Sequence, residues 1–289
     1  MFYLIATILL NVVISAIFKL FPKYEIDTLQ AIVTNYCVCV VTGCLFMGHI
    51  PFSAEAMHSS WFPWSLGMGA AFIAIFNVIA YSTRVDGMTT TTIASKLSLV
   101  IPAILSVILY HEQVGIGKII GILIAFPAVY LTTRVTGENN KPQALIWPIL
   151  IFLGGGTLDT LTKYIQTNFL PTAADQGAYS IFCFATAGGI GVVLVGVLLL
   201  LGKTKLRWKN ILAGICVGIP NYFSIYFFLR MLQGTSLQSS AAIPVLNIGI
   251  LVASTLTAIL LFKEKTNRLR DIGIGLSIIA ILLIAFGDK

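Results

Sequence analysis

The feature that most restricts this chain is a series of apolar runs, each about twenty residues long, separated by short connections rich in Gly, Pro and charge. At a helical rise of ~1.5 Å per residue, a run of that length crosses a hydrocarbon layer of roughly 30 Å. Reading the runs with their punctuation predicts helices over 2–20, 28–47, 62–83, 89–110, 114–133, 144–165, 174–201, 209–231, 235–262 and 271–287. Composition agrees: 57% of residues are hydrophobic, 10% are charged and the mean hydropathy is +0.94, which excludes a soluble globule. The expected fold class is an all-α polytopic membrane protein with ten transmembrane helices. The first run, MFYLIATILLNVVISAIF, lacks a basic n-region and a small-residue cleavage pattern, so it is expected to remain as a spanning helix.

The net charge of +7 does not point to a nucleic-acid partner, because the basic residues sit singly or in short clusters between apolar runs, as topology signals do. Apart from Lys96, thirteen Lys and Arg follow odd-numbered runs and four lie on the opposite side. The positive-inside rule then places both termini outside the cytoplasm. Cys37, Cys39, Cys44, Cys183 and Cys216 all fall within apolar runs and read as small hydrophobes, neither disulfide-bonded nor metal ligands. His49, His58 and His111 are not at ligand spacing, and neither a Ser/His/Asp set nor a paired-carboxylate constellation is visible. No metal, no cofactor and no enzyme activity are expected.

The two halves of the chain repeat. At one constant offset Lys19 meets Lys163, Cys39 meets Cys183, Trp64 meets Trp208 and Asn77 meets Asn221; at a slightly longer one Ser95 meets Asn247, Glu112 meets Glu264 and Gly121 meets Gly273. The expected organisation is two five-helix repeats over 1–135 and 144–289, and an odd number of crossings inverts the second relative to the first. Inverted repeats build many secondary transporters, with the substrate near the bilayer midplane at the repeat interface.

Each half contains a helix that closes on Glu and is followed by a Gly-containing helix: LYHEQVGIGKIIG (109–121) and LFKEKTNRLRDIG (261–273). In these paired endings and in its ten-helix plan the chain resembles the EamA-like transporters of the drug/metabolite transporter superfamily. The resemblance implies a carrier of a small metabolite or drug-like solute in the lipid bilayer of a bacterial cytoplasmic (inner) membrane. The charge count reverses that family's usual orientation. Coupling to a proton, to a counter-substrate or to nothing stays open, as does the choice between monomer and homodimer.

Lys96 lies about a third of the way along the fourth run. A charge at depth costs ~2.5–3.5 kcal/mol on insertion scales, so it is generally turned toward protein or water and used; the alternative is that its stem snorkels to the nearer interface. Measured from their shared turn, Asn77 and Lys96 lie at similar depth, while Asn221 and Asn247 fall near the midplane. With Ser95 and Tyr222 they are candidate substrate-binding residues around one polar cavity; the alternative is interhelical hydrogen bonding worth ~0.6 kcal/mol each. Pro220, beside Asn221 and Tyr222, is expected to interrupt its helix, and Pro102, Pro127 and Pro244 are candidates to do likewise. Asp159 stands at i,i+4 from Lys163 and can either neutralise that residue or serve as counter-ion to Lys96 and coupling site. Glu112 and Glu264 are expected to fix their neighbouring turns by capping the next helix. Gly117/Gly121 and Gly214/Gly218 are expected to permit close helix packing.

Overall fold

Helix ends in this protein are set by short polar side chains. Asp27 accepts the Gln30 N–H at 3.1 Å and Thr172 forms a reciprocal capping box with Asp175, each satisfying donors that a helix start leaves free. The computed structural model describes residues 2–101, 104, 115–133, 146–234, 239–264 and 267–286. Its helices are α1 (Phe2–Leu20), α2 (Thr28–Met47), the single turn α3 (Ala54–Met57), α4 (Phe62–Val85), α5 (Met88–Leu97), α6 (Ile116–Thr133), α7 (Ile146–Phe169), α8 (Ala173–Leu200), α9 (Trp208–Gly234), α10 (Ser239–Leu260) and α11 (Arg268–Phe286). No strand occurs among the described residues.

Five stretches, within α1, α2, α4, α8 and α9, are long and apolar enough to cross a membrane. They present large apolar side chains outward, among them Phe2, Leu9, Val193 and Leu200. Continuous apolar surface of this kind is unfavourable in water and suits lipid, and helices satisfy their own backbone there.

Two departures from the sequence expectations concern proline. The helix expected over 89–110 begins at Met88 and is interrupted at residues 98–99, which form a turn before Val100 and Ile101 are helical again. Pro102 has no N–H to give the Ser98 carbonyl, which instead accepts the Ile101 N–H at 2.9 Å, while the Ser98 hydroxyl donates to the Ser95 carbonyl at 2.6 Å. In contrast, α9 runs unbroken through Pro220, where an interruption is expected. Its second and third turns lie against α2: a Cβ on Gly214 would come within 2.5 Å of the Ala31 carbonyl oxygen, and one on Gly218 within 2.7 Å of Val38 Cβ. With α2 packed against the turns before the proline and Asn221 bonded to Asn35 directly after it, the loss of one hydrogen bond does not end the helix.

The chain divides into two compact units. The first comprises Met1–Lys19, Val78–Thr160 and Ser224–Lys289, and the second Leu20–Asn77 and Leu161–Phe223. These units do not follow the halves 1–135 and 144–289; each contains parts of both. The cuts at Asn77 in α4 and Phe223 in α9 fall at nearly corresponding places under the internal repeat, as do those at Lys19 and Thr160. The core of the first unit joins Ile93 and Leu97 of α5, Ala125 and Ala128 of α6, Phe152 of α7, Leu251 of α10 and Ile281 of α11. In the second, α2 packs closely on α8, and polar bonds tie their flanking turns: Gln30 Nε2 donates to Thr204 at 2.7 Å and Asn210 Nδ2 to Gln30 at 2.8 Å.

Candidate functional site

Lys96 is the penultimate residue of α5, two residues before the helix break, and is half-buried. α7 approaches this break closely. A Cβ on Gly156 would lie 2.6 Å from both Ile101 Cβ and the Ser98 carbonyl oxygen, and one on Gly155 3.3 Å from Ser98 Oγ. Asp159 follows one turn later on the same face of α7. The paired glycines therefore let α7 approach the break and bring Asp159 within electrostatic reach of Lys96. Asp159 is exposed on α7. The Lys163 side chain lies outside the described residues, and the charge of Lys96 acts on Asp159. Ser95, the residue before Lys96, is half-buried and contributes its carbonyl to the break.

Asn77 donates to the Ile73 carbonyl of its own helix at 2.8 Å. Asn221 is buried in the second unit, where its Nδ2 donates to Asn35 Oδ1 at 3.1 Å and lies 3.6 Å from Cys39 Sγ. Cys39 in turn donates to the Gly218 carbonyl at 3.4 Å. This node knits α2 to α9, the interhelical role that was the alternative to a cavity wall. Asn35, which the sequence reading passes over, is its centre and is fully buried. Tyr222 is buried with its ring against Phe46 at 6.1 Å between centroids. Asn247 is half-buried on α10 in the first unit.

A second charged cluster forms around Glu264. Lys263 takes a left-handed conformation (φ 51°) and the Glu264 N–H reaches back to the Ala258 carbonyl at 3.0 Å, which folds the chain back onto the end of α10. The turn delivers the Glu264 carboxylate to Lys19 Nζ at 3.0 Å, Arg270 at 2.6 Å, the Met88 N–H at 2.9 Å and the Thr89 hydroxyl at 3.3 Å. The expectation that Glu264 caps the next helix is therefore corrected. Asn267 caps α11 by accepting the Arg270 N–H at 3.0 Å, and Glu264 caps α5, whose preceding residue Gly87 has no side chain to do so. Glu264 is held below the usual carboxylate range: burial alone would raise it, but the Lys19 charge, the Arg270 guanidinium and the Met88 N–H together outweigh that. Beside it, buried Asp86 accepts the Ser82 hydroxyl at 2.8 Å, and burial pushes its carboxyl up against the effect of that bond. Glu112, the repeat counterpart of Glu264, lies outside the described residues.

The fold and its outward apolar surface define an integral membrane protein. No family model matches the chain. It is similar to an uncharacterized protein of Haemophilus influenzae, at 26% identity over 294 residues covering 99% of this chain and 98% of that one. It is also similar to a solved crystal structure at 14% identity, with a TM-score of 0.59 over 97% of this chain and 98% of the other. That likeness is one of fold alone.

Proposed function

We propose that this protein is a secondary transporter that moves a small metabolite or drug-like solute by alternating access. In this reading, its ten spanning helices form two inverted five-helix repeats of the EamA-like kind, which rock against each other around a central site. The observation that carries the reading is the Lys96–Asp159 pair beside a discontinuous helix. A lysine in an apolar segment is costly, and the charge of Asp159 offsets part of that cost. Interrupted helices at depth are a recurrent element of transporter binding sites. The pair suits an anionic or zwitterionic substrate, whose carboxylate or phosphate would take Asp159's place at Lys96 and whose ammonium, where present, would face Asp159. Asp159, freed from Lys96, is then the candidate for proton coupling.

The rival reading, an enzyme acting on lipid-linked substrates at the membrane surface, needs a free titratable group at the helix ends. The Glu264 carboxylate is committed to Lys19, Arg270 and the α5 N-terminus. The test is thermal unfolding of wild type and Lys96→Leu against amino acids, sugars, organic anions, nucleosides and cations. A ligand of the folded state at 100 times its dissociation constant adds ~2.7 kcal/mol. A compound that stabilises wild type but not the variant supports the site. Equal stabilisation of both removes Lys96 from it.

A further inference from the structure

The Glu264 cluster joins the two sequence halves within one compact unit: Lys19, Met88 and Thr89 come from the first, Glu264 and Arg270 from the second. We propose that it is a latch, closed in this structure, whose opening frees the Lys96 helix to move during transport; the inference rests on the transporter reading and adds the moving contact to it.

Three observations lead there. First, α5 is a short rod with both ends defined. Glu264 holds the N–H of its first residue, and the turn at 98–99 separates its last residue from Val100 and Ile101. Met88 and Lys96 lie on one rigid segment, ~12 Å apart along the helix axis. Displacing Met88 therefore displaces Lys96.

Second, the halves are also joined in the same unit by an apolar contact that makes no use of the cluster. The α6–α11 pair is so closely packed that a Cβ on Gly121 would lie 2.8 Å from the Ile284 backbone nitrogen. That interface can act as the pivot, which leaves the ionic contact free to part without unfolding the unit.

Third, the chemistry fits a contact that is made and unmade. Buried ion pairs add little stability over apolar residues of similar volume, because desolvation offsets attraction. Their components rehydrate when separated, whereas an apolar staple would expose oily surface. Lys19 is 23% accessible on its side chain, so water already reaches one edge of the cluster, while Glu264 at 8% and Arg270 at 1% are covered.

The experiment uses full-length protein in liposomes with Thr90→Cys as reporter, since Thr90 is buried and lies in the first turn of α5, the turn that Glu264 holds. Its modification by a membrane-impermeant maleimide is read at that site by mass spectrometry, alone and combined with Glu264→Gln, Lys19→Gln or Glu264→Asp. Hydrogen exchange over residues 88–92 gives a second reading that needs no cysteine. The latch predicts that Glu264→Gln and Lys19→Gln raise both rates at least about tenfold, with Glu264→Asp closer to wild type. Rates within twofold of wild type, accompanied by a lower melting midpoint, would show a permanent staple and overturn the proposal. This readout involves no solute, so unchanged labelling overturns the latch whatever the binding panel returns, and a failed panel with raised labelling overturns the transporter reading alone.

Discussion

Replacing Gly156 by alanine is expected to destabilise the protein, while the same change at Gly155 is expected to stabilise it. Both positions lie inside α7 and both gain ~0.8–1 kcal/mol of helix propensity on going from Gly to Ala. They differ in what the new methyl group meets. At 155 it would lie 3.3 Å from Ser98 Oγ and 3.5 Å from Ser98 Cβ, which a shift of a few tenths of an ångström relieves. At 156 it would lie 2.6 Å from Ile101 Cβ, Ile101 Cδ1 and the Ser98 carbonyl oxygen. The isoleucine tip can swing away, but its Cβ and the backbone carbonyl cannot, so α7 must move off the helix break. Overpacking of this kind costs ~1–3 kcal/mol. The two variants should therefore differ by about that amount, with Gly155→Ala above wild type and Gly156→Ala at or below it. Unfolding in mild detergent measures the difference. Because the displaced helix carries Asp159, Gly156→Ala should also weaken ligand binding where Gly155→Ala does not. Equal stabilisation by both substitutions would refute the claim that close approach at Gly156 sets the distance between Asp159 and Lys96.

Glu264 and Asp86 should respond to pH in opposite directions. The folded-state pKa of Glu264 is depressed, so its stabilisation is present above the ordinary carboxylate value and lost as pH falls through the folded one. That of Asp86 is raised, so it favours folding most below the ordinary value and loses that contribution as pH rises through the folded one. At neutral pH, Asp86→Asn should raise the melting midpoint and Glu264→Gln should lower it, the latter by up to ~3–5 kcal/mol in equivalent stability because Arg270 loses its buried partner; a common direction for both would contradict the assignment. At the interhelical node, Asn221→Leu should cost ~1–3 kcal/mol by leaving the Asn35 amide buried without its partner, and adding Asn35→Leu should recover much of it. Additive losses in chemical unfolding would show that the two amides do not act as a pair. Gly87→Ala should cost ~1–3 kcal/mol, since φ 93° and ψ 158° suit only glycine and a Cβ would lie 3.2 Å from both Glu264 carboxylate oxygens; a melting midpoint equal to wild type would contradict this.

Much of the helical layout was legible because bilayer thickness fixes run length and Gly, Pro and charge mark the ends; α1 and α2 occupy the expected 2–20 and 28–47. Pro102 and Pro220 were both candidates to interrupt their helices, since each removes the same hydrogen bond; which of them does so was not legible, because it depends on the tertiary support that α2 gives α9. Asp159 illustrates the same limit. Local spacing offers Lys163 as its partner, whereas Lys96 depends on how closely two glycines let α7 approach another helix. Glu264 read correctly as a residue that fixes a turn, but its partner Met88 is 176 positions away and belongs to the other half of the chain. Asn35 follows the rule that singles out Asn77 and Asn221, that an amide in an apolar helix must find a partner. That rule cannot tell which such amides line a cavity and which bond one another.

The central claim, alternating access at a site containing Lys96, is tested most directly by counterflow in proteoliposomes, using a compound that stabilises the purified protein. The vesicles are loaded with unlabelled compound and a trace of label is added outside. The account predicts saturable uptake that is accelerated by the internal load and abolished by Lys96→Leu in protein that remains folded. Uptake that rises linearly with concentration, is indifferent to the internal load or persists unchanged in the variant would contradict it.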